Sequence, residues 1–375
     1  MKQTKIFCMM ALAAMTLLAT SCAQDEPGTL GGDKVMVEFT AQLPGYIDSR
    51  AIGDGKKANE LFFWVYDENN VELPDLRQHN IAFNNNGTAT VQVPLTPGHK
   101  YSFAFWAQHK GCKVYDTSNS DVIKIDYFGD DENPVICNDD DRDAFYAKAE
   151  GIEVSADGDM VQRKITLRRP FTQLNFGITH DELSDAFQAM KDAGVDLTGA
   201  KTRVWVSKAY MQFGLLQSGP VKTSTDWTDV YFELNMNDIP NRKITEVWWD
   251  DPVDPDNSQY REFVWLAFNY FLTKMDGEQI ETSIEIELAD GTTIGPLEFG
   301  EDKGIMVYGN KRTNILLDYL LTDVTFSVVI DQNFEDYLNV IVENKRNMSP
   351  LKPTAARYTR VPQVVSWPGV QLIAK

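Results

Sequence analysis

A chain of 375 residues exceeds one small domain and sets a prior of about two. With 43% hydrophobic and 11% aromatic residues it has the apolar surface that disordered chains lack, which excludes disorder throughout. Fifty-five acidic against 35 basic side chains leave a net charge of −20, which repels phosphate backbones and argues against nucleic acid as a partner.

In chain order, Lys2 and Lys5 precede an apolar run from Ile6 to Ala19, and Thr20-Ser21-Cys22 comes next. A short positive region, a brief apolar stretch and small residues describe a secretory signal over residues 1–21, and the run is too short to span a bilayer comfortably. Cysteine directly after a small residue resembles the lipobox of bacterial lipoproteins, although Leu18 stands one place further from Cys22 than the usual leucine. That resemblance implies cleavage before Cys22 and acylation of its thiol; the alternative is a plain signal with an incidental cysteine. Residues 22–33 read as a solvated tether. Within it Ala23-Gln24-Asp25-Glu26 resembles the acidic export signal of surface lipoproteins in Bacteroidota.

From Val35 onward, alternation with a period of two dominates the chain. Val35, Val37, Phe39 and Ala41 point one way, and Met36, Glu38, Thr40 and Gln42 the other, as in a half-buried strand. The same reading covers Leu61–Tyr66, Thr88–Val93, Tyr101–Ala107, Val161–Leu167 and Phe171–Ile178. It continues over Arg203–Phe213, Val230–Leu234, Glu262–Leu272, Ser283–Leu288, Thr313–Tyr319 and Val324–Ile330. Asn86-Gly87, Asp157-Gly158, Asp276-Gly277 and Asp290-Gly291 are turn signals, the last two resembling hairpin dipeptides. Many short strands with frequent turns predict all-β sandwiches. One short helix is predicted over Asp181–Ala193, with Leu183, Phe187 and Met190 on one face and Gly194 as its stop. Pro170 cannot donate in a central ladder, so the chain is expected to divide at Arg168-Arg169-Pro170, into 34–168 and 169–345. Residues 346–375 form a tail with Pro350, Pro353, Pro362 and Pro368.

The signal and lipobox, the strand Val35–Leu43, Ser49-Arg50-Ala51-Ile52-Gly53-Asp54, Arg168-Arg169-Pro170-Phe171-Thr172-Gln173-Leu174-Asn175-Phe176 and Asn310-Lys311-Arg312-Thr313-Asn314-Ile315 occur in that order. Over about residues 1 to 335 the chain resembles the fimbrillin-like, type V pilus-related lipoproteins of Bacteroidota. The resemblance implies two tandem transthyretin-like, Greek-key β-sandwich domains and an outer-membrane lipoprotein displayed on the cell surface or in a fimbrium. It also implies a cut by an arginine-specific protease after Arg50, leaving Ala51 as the new N-terminus. The lipid anchor would then leave with the strand bearing Val35, Val37, Phe39 and Ala41. Other fimbrial subunits are the implied partners, each filling the vacated groove with a strand, the β-augmentation mode of recognition. Donor candidates in this chain are Val324–Ile330 and Leu338–Val342, which could equally be strands of the second sandwich. The prolines of the tail fit a tip or accessory subunit, or simply an irregular extension, at least as well as a shaft. The rival reading is a permanently anchored surface lipoprotein that holds a glycan or host protein and never polymerises.

Other candidate sites are fewer. Asp139, Asp141, Asp143 and Glu150 match calcium-loop positions 1, 3, 5 and 12, but Ala144 stands where the loop requires glycine. Asp250-Asp251-Pro252-Val253-Asp254-Pro255-Asp256 is a second carboxylate-rich loop. Trp248-Trp249 beside it could offer a sugar-stacking face, of which Trp249 is the candidate contact, since neighbours on a strand point opposite ways. Cys112 and Cys137 either form one disulfide or remain two buried thiols. No Gly-x-Ser-x-Gly elbow, His-Glu-x-x-His pair or phosphate-cradling glycine loop is present, so neither an enzyme nor a cofactor is expected.

Overall fold

The computed structural model describes residues 34–44, 55–128, 139–155, 161–179, 199–221, 227–235, 244–249, 259–291, 293–299, 304–317 and 326–331. Among these residues the architecture is all-β, as predicted, interrupted only by the single turns of 3-10 helix Pro74–Leu76 and Asp140–Arg142. The helix predicted over Asp181–Ala193 lies outside the described residues.

Among the described residues nine strands precede Pro170: β1 (Val35–Gln42), β2 (Glu60–Tyr66), β3 (Gln78–Ala82), β4 (Thr88–Leu95), β5 (Lys100–Gln108), β6 (Tyr115–Asp116), β7 (Val122–Ile125), β8 (Phe145–Glu153) and β9 (Val161–Thr166). One sheet has the order β4-β1-β9 and a second the order β3-β2-β5-β8. Their inner faces share one core, in which Phe39, Val91 and Val93 meet Leu61, Phe63, Phe103 and Phe105. Alternation in β1 is realised as predicted, every second residue being buried.

In β2 and β5 the alternating reading needs correction. Leu61, Phe63 and Val65 face the first core, while Trp64 and Tyr66 on the opposite face belong to a second one. Phe103, Phe105 and Ala107 divide from Ala104 and Trp106 in the same way. A sheet covered on both faces selects an almost continuous apolar run, because neither face meets water.

Among the described residues thirteen strands come after Pro170: β10 (Phe171–Thr179), β11 (Lys201–Tyr210), β12 (Gln212–Gly214), β13 (Gly219–Pro220), β14 (Trp227–Asn235), β15 (Ile244–Trp249), β16 (Gln259–Leu272), β17 (Glu278–Ile280), β18 (Thr282–Glu287), β19 (Thr293–Phe299), β20 (Ile305–Val307), β21 (Arg312–Leu317) and β22 (Phe326–Asp331). Most join one sheet, but among the described residues β11 and β16 pair in it only at Tyr210 and Leu272. On one side of that seam lie β19-β18-β11 with β14, and on the other β16-β10-β21-β22 with β15. The two parts fold over a common core, where the rings of Phe176 (β10) and Phe299 (β19) stand 5.7 Å apart.

Asp290-Gly291 forms the predicted hairpin turn between β18 and β19, with Gly291 at φ +83°. Asp276-Gly277 does not: it turns the chain from β16 into β17, which pairs with β20 instead. Gly277 is required there, since its φ is +99° and a Cβ would stand 2.5 Å from the Tyr308 ring. The single strand predicted over Arg203–Phe213 is also broken, after Tyr210, and its end enters another sheet as β12.

That other sheet, β13-β12-β7-β6, takes strands from both sides of Pro170. Around it Trp106 packs against Tyr115, Phe171 and Phe213 with ring centroids 5.4, 6.1 and 5.7 Å away. Tyr146 donates to the Leu215 carbonyl and Lys148 to that of Leu216. Tyr127 sits at the seam: its hydroxyl accepts from the Leu272 amide at 2.8 Å and donates to the Tyr210 carbonyl at 3.1 Å. Burial pushes its phenol well above the ordinary value, so it stays a neutral donor and acceptor. Tyr127→Phe keeps the packing but denies both backbone groups their partner. It is expected to cost about 1–3 kcal/mol in urea unfolding, and an unchanged midpoint would show the seam to be held by packing alone.

Candidate functional site: the slot of the first strand

Strand β1 lies in the middle of its sheet. Val35–Gln42 runs antiparallel to Leu95–Thr88 of β4, and Val37–Gln42 runs parallel to Val161–Thr166 of β9. Its C-terminal end is tied by Leu43 N–H to the Gly87 carbonyl at 2.9 Å and by Leu167 N–H to the Gln42 carbonyl at 2.9 Å. Both of its edges are therefore used, and without it two facing rows of backbone donors and acceptors would be unpaired.

The inward face is apolar and dry. Val37, Phe39, Ala41 and Leu43 are fully buried and Val35 nearly so. The Phe39 ring lies 4.6 Å from Phe103, 5.4 Å from Phe105 and 5.9 Å from Phe63, centroid to centroid. Ala41 is flanked by Ala89 of β4 and Ile165 of β9. Met36, Glu38, Thr40 and Gln42 face outward and are only half-buried, and Gln92 Nε2 donates to Glu38 at 2.7 Å. The predicted released strand is thus a single apolar wedge, extended by Leu43 beyond the side chains singled out from the sequence.

Arg50 and Ala51, the predicted cut, lie outside the described residues, as does Cys22. The chain re-enters the described region at Gly55, whose φ is +74°; a Cβ there would stand 3.1 Å from the Phe145 ring. Phe145 is capped in turn by the Arg169 guanidinium, 4.5 Å from its centroid. Arg169 makes a two-pronged ion pair with Asp143, at 2.7 and 2.8 Å, with each side chain only 2% exposed. Burial alone would lower the guanidinium's pKa, but the Asp143 charge and hydrogen bond offset that and hold it raised. The Arg169 amide donates to Asn310 Oδ1 at 3.2 Å, which ties this pair to the segment before β21. Arg169, read from the sequence only as part of a break, is a buried hub. No periodic signal marks it, because burying an arginine requires a carboxylate far along the chain.

The calcium reading is corrected by the same pair. Asp143 is spent on Arg169. Asp139 accepts from the Asp141 amide at 3.0 Å, Asp141 pairs with Lys57 at 3.2 Å, and Glu150 pairs with Lys148 at 2.7 Å on β8. A calcium loop needs its carboxylates converging on one point, and these have separate partners, three of them cations and one a backbone amide. Among the described residues no group of three or more His, Cys, Asp or Glu is placed to hold a metal.

Cys112 is partly exposed, with burial pushing its thiol up, and Cys137 lies outside the described residues. The Trp249 backbone ends β15, opposite Gln259 of β16, while the adjoining loop 250–256 lies outside the described residues. Of the two donor candidates, the part of Val324–Ile330 that is described, from Phe326 on, lies in β22, paired with β21. Leu338–Val342 lies outside the described residues. A surface cavity of about 550 Å³ between Gln217–Val221 and Lys274–Asp276 includes none of the predicted site residues.

Residues 28–352 match the model of a family of unknown function, DUF6562. No curated protein matches the sequence. Among solved structures the chain is similar to a candidate cell adhesion protein from Bacteroides uniformis, at 11% identity and TM-score 0.42, over 81% of this chain and 99% of that one. It is similar also to the fimbrial anchor protein Mfa2 from Porphyromonas gingivalis, at 9% identity and TM-score 0.39, over 79% and 97%. The tip fimbrial protein Mfa3 from the same organism, with a C-terminal truncation, matches at 13% identity and TM-score 0.37, over 79% and 99%.

Proposed function

We propose that this chain, which belongs to the family of unknown function DUF6562, is a fimbrillin-like surface lipoprotein that joins other subunits by strand replacement. In this reading residues 1–21 direct export, Cys22 carries the lipid, and a cut after Arg50 frees β1. A neighbour's strand then enters between β4 and β9, and the chain serves as a structural or accessory subunit. Domains 34–168 and 169–345 are the two sandwiches of that subunit, and the proline-bearing residues 346–375 fit a tip or accessory place at least as well as the shaft.

One observation carries the reading: β1 is central, paired on both edges and apolar on its inward face, so its removal opens a slot both sticky and greasy. Reburying three large apolar side chains is worth about 1.5–3 kcal/mol each. Those three alone then contribute about 5–9 kcal/mol on the same scale, before backbone pairing. A joint of that strength is long-lived, which suits a permanent assembly.

N-terminal sequencing of the surface form, with Arg50→Ala as the comparison, tests this. The unaltered protein is expected to begin at Ala51 and to form oligomers that resist heating in detergent. The variant is expected to stay anchored at Cys22 and monomeric. Equal assembly by both forms rules the cut out, and an uncut monomer that binds a glycan array supports the rival reading of a fixed surface receptor.

A further inference from the structure

Shape and order along the slot restrict what can refill it. Resting on the reading that β1 departs, we propose that its replacement is a proline-free strand of a different polypeptide, not residues 332–375 of a second copy. Its alternate side chains run β-branched, β-branched, aromatic, small, aliphatic, in the direction of β1.

The centre of that order is the Phe39 position. Phe63, Phe103 and Phe105 surround it, all fully buried, so a smaller side chain leaves a cavity that close-packed rings cannot collapse to fill. Two residues on, Ala41 sits between Ala89 and Ile165 and is itself fully buried, so a large side chain there overpacks the core. Two residues back, Val37 lies between Val93 and Val161, a site that takes a β-branched side chain. The order is therefore asymmetric about the aromatic. A strand entering in reverse brings its small residue to the Val37 site and its valine to the Ala41 site, and also loses the parallel register with β9.

The chain's own residues beyond β22 do not meet this order. Phe334 and Tyr337 are followed two places on by Asp336 and Asn339, and Tyr358 by Arg360. Each would put a polar or charged group into the dry Ala41 site. Trp367 is followed by Gly369, but Pro368 stands between them, and a strand paired on both edges needs that N–H. Strand β22 itself is already committed to β21.

The test uses the full chain with a site-specific protease sequence inserted within residues 45–54, cut in solution and then offered fluorescent peptides. A peptide with the sequence of residues 34–43 is expected to displace β1. Peptides carrying Phe39→Ala or Ala41→Trp should bind about 100-fold more weakly or worse. The outward change Gln42→Lys should bind within a few-fold of the parent, and a peptide of residues 354–361 should not compete. Equal binding by the parent and Phe39→Ala peptides overturns the side-chain order while leaving strand replacement intact. Tight binding by residues 354–361 overturns the choice of a foreign partner. If the parent peptide never enters, strand replacement fails as a whole, and this inference with it.

Discussion

Phe39→Ala is expected to destabilise the protein by about 3–5 kcal/mol, the usual cost of emptying a buried phenylalanine site. The ring has no exposure and is held by three others with centroids 4.6 to 5.9 Å away. None of these can swing into the void, because Phe63, Phe103 and Phe105 are themselves fixed on paired strands, β2 and β5. Against a total stability of about 5–15 kcal/mol, such a loss is a large share. Equilibrium unfolding in urea should show a lower midpoint with little change in slope. Glu38→Ala, one residue away but facing outward, should shift the midpoint by no more than about 0.5 kcal/mol. Similar losses for the two variants would mean that β1 is not a wedge, and would remove the physical basis for a slot.

Asp143→Ala should cost a comparable amount, about 3–5 kcal/mol, by a different mechanism. It leaves the Arg169 guanidinium, 2% exposed, without the carboxylate that holds it in two places. Because Arg169 also caps Phe145, the loss reaches the first core. The double change Asp143→Leu with Arg169→Met should recover most of the loss, since a matched apolar pair carries no desolvation cost. A double-mutant cycle in urea measures the coupling. Additive effects, with no recovery in the double variant, would show that the two residues act separately.

How much of the fold and the slot was legible depends on how local each signal is. The inward set Val35, Val37, Phe39 and Ala41 is read directly from a period of two, and the Asp290-Gly291 turn from its dipeptide. The runs Leu61–Tyr66 and Tyr101–Ala107 contained a further message that alternation obscures. They are apolar at nearly every position because Trp64, Tyr66 and Trp106 face the second core. The short strands β6, β7, β12, β13, β17 and β20 have two to four residues each, too few to display any period. Asp143 looked like a calcium ligand because carboxylate spacing is a sequence property, whereas its actual partner is set by folding.

Local stereochemistry, then, is what the amino-acid order determined unaided. Successive side chains on an extended backbone point to opposite sides, so the inward face of β1, the turn at Gly291 and the all-β class come from neighbours in the chain. Only the tertiary structure decided that β1 lies between an antiparallel β4 and a parallel β9, that three phenylalanines enclose Phe39, and that Arg169 meets Asp143. Those pairings join residues distant in sequence, and which ones meet depends on the packing of whole sheets, to which no short pattern is sensitive.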